Sequence, residues 1–249
     1  MFFLCSNDDG YRSLGLSVLA DAARRIGDVH VVAPDREQSA SSHSLTMHFP
    51  LRAHQMDETT HHVDGTPTDC VALAVGGLLE KRPDFMFSGV NHGPNMGEDV
   101  LYSGTVAAAM EATILGIPAI AFSYVGRDPE GITAYGPRLG ELIAQLVGRK
   151  RFPAETLLNV NLPAIDPAEV RGVRVTSLAR RVYTDSLTRA LDPNGKEYYW
   201  IGGGGVEWSA DEGTDFKAVE DGYISVTPLH LDLTNYKLLS EVESWDLQA

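Results

Sequence analysis

Short apolar runs that each end in a polar loop and lead into a helical pattern restrict this chain to a small set of folds. Phe2-Phe3-Leu4-Cys5-Ser6 is the first run, and Leu16, Leu19, Ala23 and Ile26 then recur at helical spacing. Val29 to Ala33 is a second, largely β-branched run that stops at Pro34-Asp35-Arg36. Thr66-Pro67-Thr68-Asp69 reads as a helix start, with Thr66 as N-cap, Pro67 at the first helical position and Asp69 closing a capping box; that helix continues through Val75. Phe85 to Val90 predicts a third strand, and the polar loop 91–103 follows it. Residues 105–115 read as a helix ended by Gly116-Ile117-Pro118; Ala119 to Ser123 is a fourth strand and 138–147 a further amphipathic helix. Strand and helix alternating over residues 1–150 predict an α/β fold, a parallel sheet with right-handed crossovers.

After about residue 150 the pattern changes. Leu157 to Leu162, Val173 to Leu178 and Tyr223 to Pro228 still read as strands, while residues 180–215 hold turns and aromatic residues without a helical period. The expectation is one domain, with a core over about 1–150 and a β-rich extension over about 151–249 packed on it. The run Gly202-Gly203-Gly204-Gly205 lacks the Lys-Ser/Thr ending of a phosphate loop and reads as a flexible hairpin turn.

Composition removes several function classes. The 249 residues contain no apolar run of about 18, the length a membrane span needs. The start of the chain has no basic region before its short apolar stretch, so no signal peptide is expected. A formal net charge of -14 argues against a nucleic-acid polymer as partner. Cys5 and Cys70 both lie in apolar segments and read as buried thiols, which fits a cytoplasmic protein.

Chemistry-bearing residues concentrate in the loops after the strands, where open α/β sheets bind ligands. The first loop is Ser6-Asn7-Asp8-Asp9-Gly10. Adjacent carboxylates repel unless a positive charge sits between them, and oxygen-only ligands favour Mg²⁺ or Mn²⁺. Ser39 in the second loop and Asn91 in the third are candidate neutral ligands, which would leave the metal positive enough to attract phosphate. Ser103-Gly104-Thr105 begins the helix from Val106, with Ser103 as N-cap and Gly104 allowing an anion close to the backbone. Asn95, on a Gly-Pro turn, is a candidate donor to a phosphoryl oxygen, and His43 and His92 are candidate acid–base or base-stacking groups. Each also has a plainer reading: one Asp as a helix cap, Ser39 and Asn91 as turn residues, Ser103 as a simple cap, the histidines as surface groups. His61-His62 lies in a strand-like stretch where neighbours face opposite sides, so it is a poor metal pair.

Taken together and in order, these segments resemble the SurE (survival protein E) family of metal-dependent nucleotidases. The resemblance also rests on Ser44-Leu45-Thr46, Gly65-Thr66-Pro67-Thr68-Asp69-Cys70, Ser88-Gly89-Val90-Asn91-His92-Gly93-Pro94-Asn95, Gly213-Thr214-Asp215 and Ser225-Val226-Thr227-Pro228-Leu229. It implies a Rossmann-like core with a C-terminal part used in assembly of a homodimer or homotetramer. It implies hydrolysis of nucleoside 5′- and 3′-monophosphates, with polyphosphate cleaved by some members. It maps one divalent metal per subunit onto Asp8, Asp9, Ser39 and Asn91, and phosphate contacts onto Asn95, Ser103, Gly104 and Thr105; Asp8, Asp9 and Asn95 would carry catalysis. One departure follows the acidic motif, where Ser13-Leu14-Gly15 replaces the family's Ala-Pro-Gly. Without proline that loop is less stiff, but no ligand is lost. A second class, a nucleotide-binding sensor without catalysis, would use the same helix terminus but gain little from two carboxylates beside phosphate. A dinucleotide-dependent oxidoreductase would need G-x-G-x-x-G where this chain has Asn7-Asp8-Asp9-Gly10-Tyr11-Arg12.

Overall fold

The computed structural model describes residues 1–149, 152–153, 155–182, 187–201, 207–209, 211–245 and 247. The run 202–205 lies outside the described residues. In chain order the elements are β1 (Phe2–Ser6), α1 (Leu14–Arg24), β2 (Asp28–Pro34), β3 (Ala53–Asp57), β4 (Thr60–Val63), α2 (Pro67–Leu73), β5 (Phe85–His92), α3 (Gly104–Ile114), β6 (Ala119–Tyr124), α4 (Pro129–Ala134), α5 (Gly136–Val147) and β7 (Thr156–Leu162). They continue with β8 (Val173–Val175), β9 (Arg181–Val182), β10 (Leu187–Leu191), β11 (Glu197–Ile201), β12 (Glu207–Trp208), α6 (Asp215–Glu220), β13 (Ile224–His230) and α7 (Leu239–Glu243).

Nine strands form one sheet in the order β3-β4-β2-β1-β5-β6-β7-β13-β8. Strands β4, β2, β1, β5, β6 and β7 are mutually parallel, while β3 and β13 run antiparallel to their neighbours β4 and β7. Strand alternation divides the core between the two faces. On β1, Phe3 and Cys5 join Leu16, Leu19, Leu139 and Ile143 from α1 and α5. Leu4 between them joins Val71, Val106 and Ala109 from α2 and α3. Both cysteines are buried and unpaired, and burial pushes the Cys5 thiol up to about 12, which leaves it unreactive.

The expected parallel α/β sheet is present, with differences that have local causes. The helix begun by the Thr66–Asp69 capping box ends at Leu73 and widens into a π turn over Ala74–Leu78, where Gly76 and Gly77 weaken α-helical winding. The strand read over 173–178 stops at Val175, because the chain turns away from β13 to bridge Ser177 with Thr214. Strands β7, β13 and β8 extend the central sheet beyond residue 150, and among the described residues only the β10–β11 and β9–β12 pairs stand apart from it. The edge strand β3 carries no apolar alternation, and most of it is exposed. His61 and His62 do face opposite ways: His61 Nδ1 lies 3.1 Å from His30 Nε2, whereas His62 stacks between Tyr11 and His54.

Candidate active site

Strand β1 is where the sheet order reverses, with β2 on one side and β5 on the other, so the crevice beyond its carboxyl end is the favoured ligand position. The acidic loop occupies that crevice. Asn7, fully buried, braces it: its Nδ2 donates to Gly10 O at 3.1 Å and to Ser13 Oγ at 2.6 Å. Ser13 in turn caps α1 by accepting from Leu16 N, and Leu14 takes the first helical position where the family has proline. The departure from the family pattern thus covers two positions, Ser13, whose hydroxyl caps α1 and accepts from Asn7, and Leu14, whose N–H needs no helical partner.

Among the described residues no Lys or Arg forms an ion pair with Asp8 or Asp9. Asp8 is 4% exposed. Burial raises its pKa from 3.8 to about 6; the Thr105 hydroxyl, donating to Asp8 Oδ1, opposes that rise and the Asp9 charge adds to it. Burial also raises Asp9, and the adjacent His92 ring and backbone N–H pull it back down. Asp9 Oδ2 is buried with no hydrogen-bond partner, a costly arrangement unless something positive meets it. Asn91 supplies a neutral oxygen alongside. The register of β5 against β6 shifts between Ser88 and Asn91, and Asn91 Nδ2 is tied to Gly93 O at 3.0 Å. Its Oδ1 therefore faces the Thr105 hydroxyl, 3.4 Å away, next to Asp8. Two carboxylates and an amide oxygen fit a hard divalent cation; among the described residues no three His, Cys, Asp or Glu side chains converge as a metal site on their own.

The other expected site residues are spread around this centre. Ser39 is exposed on a loop whose Gln38 N–H is held by Asp8 O at 2.7 Å, and its hydroxyl donates to Glu37 Oε1 at 2.7 Å. Ser103 caps α3 by accepting from Val106 N at 3.1 Å. Gly104 packs directly on the acidic loop: a Cβ there would lie 2.8 Å from Asp8 Cβ and 3.1 Å from Asp8 Oδ2. The Thr105 side chain is fully buried on Asp8, so the first turn of α3 offers an anion its backbone N–H groups, which have no helical partner. Asn95 is buried, and its Nδ2 donates one N–H to Ser123 Oγ at 2.8 Å. The structure separates the two histidines: His92 stands beside Asp9, whereas His43 Nε2 is 2.8 Å from Glu111 Oε2.

Three polar residues that hold Asn95 were not legible as site residues. Asn161 Oδ1 accepts from Asn95 N at 3.0 Å, and Asn159 and Asn161 donate to Asn95 O at 2.8 and 3.0 Å. Ser123 receives its side chain. The available signal was the spacing Asn159-Val160-Asn161 inside an apolar strand, since two buried amides on one strand face must have partners.

The whole chain has close relatives among known proteins. It is 58% identical over 248 residues to a protein named 5′-nucleotidase SurE from Gemmatimonas aurantiaca, covering 98% of both chains. It is 48% identical to one of the same name from Geotalea uraniireducens, over 99% of this chain and 100% of that one. The solved SurE protein from Aquifex aeolicus superposes with a TM-score of 0.89 at 44% identity, covering 99% of this chain and 100% of that chain. The family model described as survival protein SurE matches residues 3–185. By the acidic crevice at the sheet reversal, this family match and relatives alike from end to end, the chain belongs to the SurE family.

Proposed function

We propose that this chain is a metal-dependent phosphomonoesterase, a nucleotidase that hydrolyses nucleoside 5′- and 3′-monophosphates to nucleoside and phosphate. The observation that carries the reading is two adjacent aspartates, one with an unpartnered buried oxygen, set against the N-terminus of α3 at Gly104. Relatives named 5′-nucleotidase SurE over their full lengths support it.

Asp8, Asp9, Asn91 Oδ1 and the Ser39 hydroxyl would hold one Mg²⁺ or Mn²⁺. When bound, that ion polarises the phosphoryl oxygens and lowers the pKa of a water. The backbone N–H groups of the first turn of α3 bind the phosphoryl oxygens, and the second N–H of Asn95 Nδ2 adds a donor as charge develops in the transition state. Thr105 orients the Asp8 carboxylate. His92, beside Asp9, is assigned the proton transfer to the departing nucleoside oxygen.

The test is phosphate release from 5′-AMP, 3′-AMP and 5′-GMP by metal-stripped protein before and after Mn²⁺ or Mg²⁺ is added. Release that returns with metal supports the reading. No release under either metal, with 5′-AMP still bound, would replace it with a nucleotide sensor. His92→Ala is expected to lower kcat for 5′-AMP about 100-fold but to affect p-nitrophenyl phosphate, whose leaving group needs no proton, far less. Equal losses on both substrates would remove His92 from that role.

The same reading places the protein in the cytoplasm, in keeping with two free buried thiols, and no helix among the described residues is long and apolar enough to cross a membrane. It also makes the protein a homodimer or homotetramer assembled through the C-terminal part. The β10–β11 hairpin supports this, leaving Leu187, Tyr199, Trp200 and Ile201 more than half exposed.

A further inference from the structure

One residue of the loop after β2 has an unusual setting. Ser41 Oγ is buried and has no hydrogen-bond partner. It lies against the start of α3 and next to the acidic loop: the position a Cβ on Gly104 would take is 2.7 Å from Ser41 Oγ and 3.1 Å from Asp8 Oδ2. A serine hydroxyl rotates freely and ordinarily finds an acceptor, so an orphan at this place needs a reason.

The backbone around it is constrained to present it. Ala40 and Ser42, on either side, have φ of 58° and 54°, the left-handed region that residues with a Cβ seldom adopt. Such conformations persist only where surrounding contacts over-determine them, and they collect at functional sites. The contacts are present. Gln38 N–H is held by Asp8 O, and Ser41 N–H by Gln38 O at 3.2 Å. Ser42 is held twice to the turn before α3, its N–H by Tyr102 O at 3.1 Å and its hydroxyl by Leu101 O at 2.7 Å. Further along, Thr46 N and Oγ1 donate to the buried Asp69 at 2.9 and 2.6 Å. The loop is therefore fastened on both sides of Ser41, while the Ser41 hydroxyl makes none of these fastenings.

We propose that Ser41 is a further substrate-contacting residue, its hydroxyl donating to a phosphoryl oxygen held at the α3 N-terminus. The inference rests on the proposed nucleotidase reading. A donor O–H adjoining backbone N–H groups suits an anion, and an anion would supply the acceptor the hydroxyl lacks. Ser39 lies two residues earlier with its hydroxyl on Glu37, so Ser39 and Ser41 have different roles.

The experiment compares Ser41→Ala with wild type by calorimetric binding of inorganic phosphate to the Mn²⁺-loaded protein, by Mn²⁺ affinity of the metal-stripped protein, and by KM for 5′-AMP. Loss of a hydrogen bond to a charged group predicts phosphate affinity lower and KM higher by about 10- to 100-fold, with Mn²⁺ affinity and melting temperature unchanged. Phosphate affinity and KM equal to wild type would overturn the proposal. So would a parallel fall in Mn²⁺ affinity, which would make Ser41 a metal ligand. Failure of the underlying reading looks different: wild type itself would release no phosphate from 5′-AMP.

Discussion

Asp8→Asn is expected to end phosphate release from 5′-AMP and, in metal-free protein at pH 7, to raise thermal stability. Both results have one cause. The Asp8 carboxylate is buried next to Asp9, and burial more than the neighbouring charge lifts its pKa from 3.8 to about 6. The folded chain therefore holds this proton more tightly than the unfolded chain. The stability that goes with it is complete below pH 3.8 and is lost as pH rises through about 6. At about 1.4 kcal/mol per pKa unit, the loss amounts to about 3 kcal/mol. Metal-free wild type should accordingly melt at a higher temperature at pH 5 than at pH 7, by this group's contribution, and Asp8→Asn should flatten that difference. Mn²⁺ added at pH 7 should restore the melting temperature of wild type and leave the variant nearly unmoved. Full activity in the variant, or wild-type melting indifferent to Mn²⁺, would contradict the role given to Asp8.

Gly15→Ala is expected to cost about 3 kcal/mol or more in urea unfolding, although helix propensity alone predicts a gain of up to about 1 kcal/mol. Gly15 is the second residue of α1, an ordinary place for alanine. A Cβ there would lie 2.0 Å from Val90 O and 3.0 Å from Val90 C. Both are backbone atoms of β5, so no side-chain rotation relieves the contact. Residual folded protein should also show weaker Mn²⁺ binding, because Asn91 follows Val90 directly. A variant as stable as wild type would mean that α1 does not pack this closely on β5.

How much was legible in the residues differed from element to element. Strands β1, β2, β5 and β6 were readable because buried parallel strands are short unbroken apolar runs. The capping box of Thr66 and Asp69 was readable because it is local, with both hydrogen bonds closing within three residues. Strand β3 was not, since Ala53-His54-Gln55-Met56-Asp57 has neither apolar alternation nor a buried face and is held by its pairing with β4. Helix α4, only six residues long, carries too little periodicity to stand out.

The same division runs through the candidate site. Asp8, Asp9, Asn91, Asn95 and the Ser103–Thr105 turn stood out because small polar groups and carboxylates after apolar strands are themselves the chemical signal. The holding groups did not stand out, because Ser41, Ser123, Asn159 and Asn161 are ordinary residue types. Their meaning depends on partners tens of residues away, or in the case of Ser41 on the lack of one. His43 and His92 were equivalent as residues, and the path of the chain alone sets one on Glu111 and the other beside Asp9.

The residues by themselves determined the alternating α/β architecture, the loops that carry the chemistry and the family, because periodicity, capping and motif order are properties of neighbouring positions. Only the tertiary structure decided which of two histidines reaches the acidic pair, that Gly15 and Gly104 are demanded by close approach, and that the Ser41 hydroxyl is left without a partner against the start of α3. Those are distances between segments far apart in the chain, and the path of the sheet and the packing of α1 and α3 on it create them.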